Sequence, residues 1–396
     1  MTETPSNQLP ERLHSLDAYR GFVMLLMASD GLGFGPVAAQ FQASQAWQFL
    51  ASQTEHVAWT GCSLWDLIQP SFMFMVGVAM PYSLASRQAE GQSFAKMLLH
   101  ALWRSLVLIW LGIFLRSVGR QQAYFTFEDV LTQIGLGYTC LFLLAWTKPR
   151  TQIIAAFGIL VLYWMAFAFY PAPGPGFDYS NVGVPPDWPH LQGFAAHWDK
   201  NSNLAAAFDQ WFLNLFPRPK PFVFNGGGYL TLNFVPSLAT MIFGLLAGGL
   251  LRGERAPARK FWTLIIAGIG GLIAGFVLDV SGICPSVKRI WTPAWAIFSG
   301  GWTCLLLAAF FGAIDLRRHR GWAFPLVVVG MNSIAMYCMA HLFYGFIRDN
   351  LKTHLGRHIF ETLGTAYTPI VEHATILLVL WLLCLWLYRR KIFLRI

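Results

Sequence analysis

The chain has 396 residues, 56% of them hydrophobic and 12% charged, with a formal net charge of +9. Soluble domains carry about 25% charged residues, so the composition argues against a water-soluble globule. The positive balance could point to nucleic acid, but no basic patch is interleaved with exposed aromatics, so nucleic acid is set aside as a partner.

In chain order, the first residues, 1–11, are polar and expected to form a disordered cytoplasmic tail. Apolar runs long enough to approach the roughly 20 residues that cross a bilayer then follow at about 18–36, 64–86, 97–117, 128–146, 151–169, 228–251, 261–279, 290–313, 323–345 and 369–388. The expected fold is all-α: a polytopic membrane protein, a bundle of about ten transmembrane helices embedded in a lipid bilayer. Residues 12–396 are read as one integral domain. Its main extramembrane element is an extracytoplasmic loop at about 170–227.

Basic residues fall in alternate short loops: Arg87 and Lys96; Lys148 and Arg150; Arg252, Arg255, Arg259 and Lys260; Arg317, Arg318 and Arg320; Arg389, Arg390 and Lys391. The positive-inside rule then places both termini in the cytoplasm. The first apolar run lacks a small-residue cleavage site and is expected to be a retained span.

Four cysteines (Cys140, Cys304, Cys338 and Cys384) fall within spans and read as packing residues. Cys62 and Cys284 lie near the outer face, where an oxidising compartment would permit a bridge. No Cys-x-x-Cys or His/Cys pattern indicates zinc, and no metal is expected.

The loop at 170–227 is punctuated by Pro171, Pro173, Pro175, Pro185 and Pro186. With Trp188, Trp198, Trp211 and the acids Asp178, Asp187, Asp199 and Asp209, it reads either as a carbohydrate-binding lid or as a surface loop with interfacial tryptophan anchors. Gly226-Gly227-Gly228 is not followed by Gly-Lys-Ser/Thr, so it is no phosphate loop. It reads as a flexible approach to the sixth span.

Several polar residues could carry chemistry. His56 lies in a loop between two spans, and an imidazole with an ordinary pKa of about 6.5 suits a base acting near neutral pH. Trp59, three residues on, would shield it from water. Asp30 falls about twelve residues into the first span, roughly 18 Å along a helix. An ionisable group at that depth is a functional candidate: it could orient His56, bind an amine or form a structural salt bridge. Arg104 lies about 10 Å inside the cytoplasmic end of its helix. It could snorkel, or join Arg12, Arg20 and Lys96 in binding phosphate groups through its planar fork. Asp17, three residues before Arg20, offers a competing local ion pair.

In the ninth span, Asn332 and Ser333 sit towards the cytoplasm and His341 near the outer face, level with His56. Asn332 and His341 would point to opposite sides of a straight helix. Interhelical polar contact is the competing role for all three. Asp66 could accept a hydrogen bond in a site or cap its helix; the cap is the favoured reading.

These residues occur in an order that resembles a known family. Arg12-Leu13-x-Ser15-Leu16-Asp17-x-Tyr19-Arg20-Gly21, then His56-x-x-Trp59-x-Gly61, then Asp66-Leu67-Ile68-x-Pro70-x-Phe72-Met73-Phe74-x-Val76-Gly77 look like the heparan-α-glucosaminide N-acetyltransferases. Ile283-Cys284-Pro285 before Lys288 and Trp291, and Gly330-Met331-Asn332-Ser333-Ile334 with Tyr337 and His341, continue the resemblance. The family's members are polytopic acyltransferases, and His56 matches their active-site histidine. At the position taken for Asp30 they usually carry Asn.

The resemblance implies transfer of acetyl from cytoplasmic acetyl-CoA, as co-substrate, to the amine of an amino sugar or glycan on the other side. His56 would be catalytic, with Asp30 added to it on account of its depth in the first span and not of the family's pattern. Arg20, Arg104, Asn332 and Ser333 would hold the CoA, and Trp59, His341 and Asp66 would face the acceptor. It also implies a homodimer. Without an extra N-terminal domain, a multi-pass protein of the bacterial inner membrane is expected. Direct transfer and an acetyl-histidine intermediate both fit, as does O-acetylation. The rival reading is a proton-coupled transporter of a small polar solute, which would use the same acids and histidines as a relay.

Overall fold

The computed structural model describes residues 13–394. Expectations for the N-terminal tail and for Arg12 fall outside them.

The described chain is built from helices α1 (His14–Ala28), α2 (Phe34–Gln40), α3 (Gln45–Thr54), α4 (Ile68–Ala89), α5 (Phe94–Ser117), α6 (Val130–Ala145) and α7 (Pro149–Phe169). They continue with α8 (Leu204–Phe212), α9 (Phe234–Arg252), α10 (Pro257–Val280), α11 (Pro293–Phe310), α12 (Phe324–Gly330), α13 (Ser333–Leu355) and α14 (Thr368–Arg389). Seven spans are long and apolar enough to cross a bilayer alone, and two bent helix pairs raise the number to nine. The apolar helix α6 lies among them but is shorter. This is the all-α polytopic architecture expected from composition.

Local chemistry sets the helix ends. Proline opens α7, α10, α11, α12 and α14 in the first turn, where its missing N–H leaves no bond unmade. Ser93, Asp129 and Thr292 cap α5, α6 and α11 by accepting from backbone N–H groups. The two bent spans have different breaks. Between α1 and α2, Asp30, Gly31, Leu32 and Gly33 all take positive φ, and the axis turns by 48°. Between α12 and α13 the chain turns by 68° around Met331 and Asn332. Both breaks face interior polar space, where irregular backbone is tolerated at membrane depth.

Small residues let the central helices touch. Gly77 on α4 meets the Met241 carbonyl of α9, while Gly244 and Gly248 of α9 meet the Phe74 and Val78 carbonyls of α4. Gly21 on α1 and Gly330 on α12 make the same close approach. Such contacts drive helix association where lipid removes the hydrophobic effect. By contrast, only 17% of the most apolar window of α10, and of α14, is buried, which leaves those faces to lipid.

The loop at 170–227 is a folded cap. Trp198 is wholly buried, Asn203 caps α8, and Asn201 donates to the Val182 and Asn225 carbonyls at 2.9 Å. Asp199 and Asp209 are buried, whereas Trp211 is 61% exposed.

A side chain at Gly244 would collide with the Phe74 carbonyl. We expect Gly244→Ala to destabilise the α4–α9 pair by about 1–3 kcal/mol, the usual cost of overpacking. A lower melting temperature of the purified protein would report it; an unchanged one would mean that the two helices part freely.

Candidate active site

The site begins where α3 ends at Thr54 and the chain turns extended. Thr60 pairs with Val287 in an isolated antiparallel bridge, and Gly61 N–H donates to the Ser286 carbonyl at 3.2 Å. These bonds join the loop carrying His56 to a distant segment of the chain that carries Lys288. Arg289 adds two more ties, donating to the Gly227 carbonyl at 2.6 Å and the Val57 carbonyl at 3.1 Å.

Three side chains then converge. His56 Nδ1 lies 2.8 Å from Asp66 Oδ1 and 2.9 Å from Lys288 Nζ, and Lys288 Nζ lies 3.2 Å from Asp66 Oδ1. Asp66 and Lys288 are buried, while the His56 side chain is 36% exposed, towards a cavity. The other Asp66 oxygen accepts from Ser63 N–H at 3.0 Å, the Ser63 hydroxyl at 2.9 Å and Val57 N–H at 3.3 Å.

Nδ1 cannot both donate to Asp66 and accept from Lys288. The carboxylate is the stronger acceptor, so we assign it both the imidazole N–H and the ammonium proton. The lone pair on Nε2, 3.5 Å from Lys288 Nζ, is then the basic site of the ring.

Burial is the main cause that lowers the His56 pKa, and Lys288 and Arg289 lower it further; the Asp66 hydrogen bond and charge oppose them. Burial also pulls Lys288 down to about 8, against the pull of Asp66 in the other direction. Near pH 7 this favours a neutral imidazole beside a charged lysine.

Two cavities lie in this part of the molecule, and His56 and Lys288 line one of them. One, of about 450 Å³, is lined by His56, Asp30, Glu128, Tyr229, Lys288 and His341, among others. The second, of about 550 Å³, is lined by Arg20, Arg87, Arg104 and Ser333, among others. Phe72, Val130 and Tyr337 line both, so the cavities are neighbours that meet at these three side chains.

The residues singled out from sequence divide accordingly. Arg20, Arg104 and Ser333 share the basic cavity, where Arg104 donates to the Tyr138 hydroxyl at 3.2 Å and Arg20 lies 3.7 Å from Asp17. Lys96 is exposed and does not line it. His341 lines the other cavity, stacked on Tyr337 with ring centroids 4.3 Å apart. The break before α13 frees His341 from the straight-helix geometry that separated it from Asn332.

Four expectations need correction. Asp30 lines the His56 cavity, but the partner of His56 Nδ1 is Asp66; Asp30 sits exposed at the break after α1. Asp66 does not cap α4, because its oxygens are taken up by His56, Lys288, Ser63 and Val57. Such a buried carboxylate orients His56 and has no surface to offer an acceptor. Asn332 holds the C-terminal segment instead of a nucleotide: it donates to the Ile392 carbonyl and accepts from Leu394 N–H, both at 3.1 Å. Trp59 is 3% exposed, donates to the Trp198 carbonyl at 3.1 Å and locks the loop to the cap.

The glycine run before α9 is no hinge either. Arg289 clamps Gly227, and a Cβ on Gly228 would stand 2.7 Å from the Trp59 ring. Cys62 and Cys284 are both free thiols.

Sequence reasoning gave no role to Lys288, Arg289, Tyr229, Arg116 or Glu128. One signal was present: Lys288 and Arg289 are adjacent cations in a loop expected outside, against the positive-inside trend.

A polytopic helical membrane protein with a His–Asp–Lys centre on one of two neighbouring cavities is the class that the fold and site define. The chain is 25% identical over 445 aligned residues to heparan-alpha-glucosaminide N-acetyltransferase of Homo sapiens, covering 98% of this chain and 60% of that protein. It is 25% identical over 376 residues to the Mus musculus protein of the same name, covering 82% of this chain and 53% of that one. The chain thus spans between half and two thirds of the length of these relatives. No family model matches it. The alignments bear out the resemblance read from the motifs.

The charges around His56 can be tested directly. Lys288→Gln removes a cation that disfavours the imidazolium, so the His56 pKa should rise. Asp66→Asn removes the charge that favours it, so the pKa should fall. Diethylpyrocarbonate modifies the neutral ring, and its reaction at His56, followed by mass spectrometry against pH, should shift up in the first variant and down in the second. Shifts of the same sign in both would contradict the triangle.

Proposed function

We propose that this protein is a transmembrane acetyltransferase that moves acetyl from cytoplasmic acetyl-CoA to the amine of an amino sugar, of glucosamine type, on the opposite side. The observation that carries this reading is the pair of cavities meeting at Phe72, Val130 and Tyr337, with arginines lining one and His56 the other. Acetyl-CoA is large and anionic, so it should not cross a bilayer freely. A thin acylated arm passing these three side chains would bring the thioester to His56 while the nucleotide stays behind them. The names of the two relatives support an acetyltransferase acting on a glucosaminide.

In this reading, Arg20 and Arg104 receive the phosphates, since guanidinium groups match phosphate oxygens with two parallel bonds. Ser333 lies beside the arm. Asp66 holds Nδ1–H and so aims Nε2 into the acceptor cavity. His56 takes a proton from the amine as nitrogen attacks the thioester carbon, the C–S bond breaks, and the proton passes to the CoA thiolate. The lowered His56 pKa supports this role, because a base must be unprotonated at working pH. Arg289 and Lys288 keep the ring neutral without taking part in the transfer.

His56→Ala should retain CoA binding and lose acetyl transfer by about 10²-fold or more, the range of a positioned acid–base group. In the wild type, the rate should fall as pH drops through the His56 pKa, which lies below about 6.5. His341→Ala is the comparison, since His341 lines the same cavity. Normal turnover in His56→Ala with an inactive His341→Ala would move the base to α13. Counterflow of unmodified glucosamine without acetyl transfer would replace the enzyme by a transporter.

Arg104→Ala should weaken CoA binding about 10-fold, the loss expected for a charged hydrogen bond. A smaller loss with dephospho-CoA would place Arg104 at the 3′-phosphate. Unchanged binding of both would leave it as a partner of Tyr138 alone.

A further inference from the structure

The transfer has a proton problem that one histidine solves only with the help of water. Near neutral pH an amino sugar arrives largely as an ammonium ion. Two protons must leave its nitrogen, one to free the lone pair and one as the amide forms. Only one of them ends on the CoA thiolate, and the other is released. A neutral imidazole accepts one proton at a time, so a second acceptor beside His56 would let the ammonium form react without first losing its proton to water.

The acceptor cavity offers three acids, Asp30, Glu128 and Asp129. Asp129 is occupied as the cap of α6: one oxygen accepts from Leu131 N–H at 2.9 Å and Thr132 N–H at 3.2 Å, the other from the Thr132 hydroxyl at 3.0 Å. Asp30 is exposed, where water screens its charge. Glu128 is different. Asn225 Nδ2 donates to its Oε2 at 2.5 Å, and its remaining accessible surface opens on the cavity. Tyr229 lines the same cavity, with its ring 6.2 Å from the His56 ring, and the Glu128 charge acts on it.

Resting on the acetyltransferase reading, we propose that Glu128 is the acceptor's ammonium site: its carboxylate binds the incoming amino group and takes the first proton. The step balances. An ammonium N–H bond breaks and a Glu128 O–H bond forms, which leaves a neutral amine with its lone pair. That nitrogen attacks the thioester carbon, His56 Nε2 takes the second proton and hands it to the departing thiolate, and Glu128 returns its proton to the outer solvent.

The surroundings of Glu128 suit this exchange. Burial raises its pKa to about 7, Arg116 on α5 opposes the rise, and Asp129 and Asp209 add to it. The Thr126 side chain hydrogen-bonds to it and lowers the pKa, and Asn225 and Tyr229 also face it. Glu128 can therefore both take and release a proton near neutral pH, as a general base should.

The test compares two acceptors with wild type, Glu128→Gln and Glu128→Asp in the full-length protein. Glucosamine carries a cation at neutral pH, whereas hydroxylamine is a neutral nitrogen nucleophile there. Glu128→Gln keeps a partner for Asn225 and should bind CoA normally. It should lose kcat/KM for glucosamine roughly 10-fold or more, the weight of a hydrogen bond to a charged group in a secluded site. Its acetylation of hydroxylamine should stay within about 2-fold, because no ammonium proton need be removed. Glu128→Asp, which retains the charge, should recover part of the glucosamine activity. Equal losses on both acceptors, or an unaltered rate on glucosamine, would overturn the proposal. A wild-type protein that acetylates neither acceptor would instead overturn the acetyltransferase reading, so the two failures are distinct.

Discussion

The pairing of Asp66 with Lys288 is the constraint on which the rest of the site depends. Two opposite charges are buried there, and such a pair is tolerated only when its remaining hydrogen-bonding positions are filled. Ser63 and Val57 fill those of Asp66, and His56 occupies the last. Removing the charge from either partner would leave the other unpaired in a secluded place. The pair thus ties the two segments together, and His56, bonded to Asp66, is held between them.

That constraint explains why so much structure is invested around one loop. The Thr60–Val287 bridge, the Arg289 ties to Val57 and Gly227, and the Trp59 bond to Trp198 all bind the same short stretch. The Pro-rich segment after α7 closes over this assembly. Its tryptophans differ in role, since Trp198 is buried as a packing centre while Trp211 stands exposed. Reading the loop only as a lid or only as a membrane anchor missed that it is the wall against which the histidine loop is set.

The two cavities differ in lining, although Asp17 and Glu90 also line the first and Arg116 the second. The basic one lies within the reach of arginines on α1, α4 and α5, and the other combines acids with histidines and Lys288. Helix breaks at both α1–α2 and α12–α13 stand beside this polar space. A straight α12–α13 helix would carry Asn332 and His341 on opposite faces, but a 68° turn lets the first hold the C-terminal segment and the second face the cavity lined by His56. The break is thus what lets one span fill two roles.

Much of this was legible in the sequence. Every apolar run expected to span corresponds to a helix or bent helix pair, because a membrane-length stretch of apolar residues can satisfy its backbone only by coiling. His56 stood out as a titratable group at a span boundary, and the ordered motifs pointed to the relatives that alignment then found. What the sequence could not supply was partnership. Asp66 was read as a helix cap because a first-turn acid has that local use, and only the distant Lys288 turned it towards His56. Asn332 and Trp59 were assigned to ligands on chemistry alone, yet both are consumed by segments 60 and 139 residues away. Glu128 drew no notice, since an acid beside a capping Asp129 before a helix is ordinary until the fold closes a cavity over it. Periodicity and composition act along the chain and determine helices; the pairing of buried charges acts across it, and only the tertiary structure decides that.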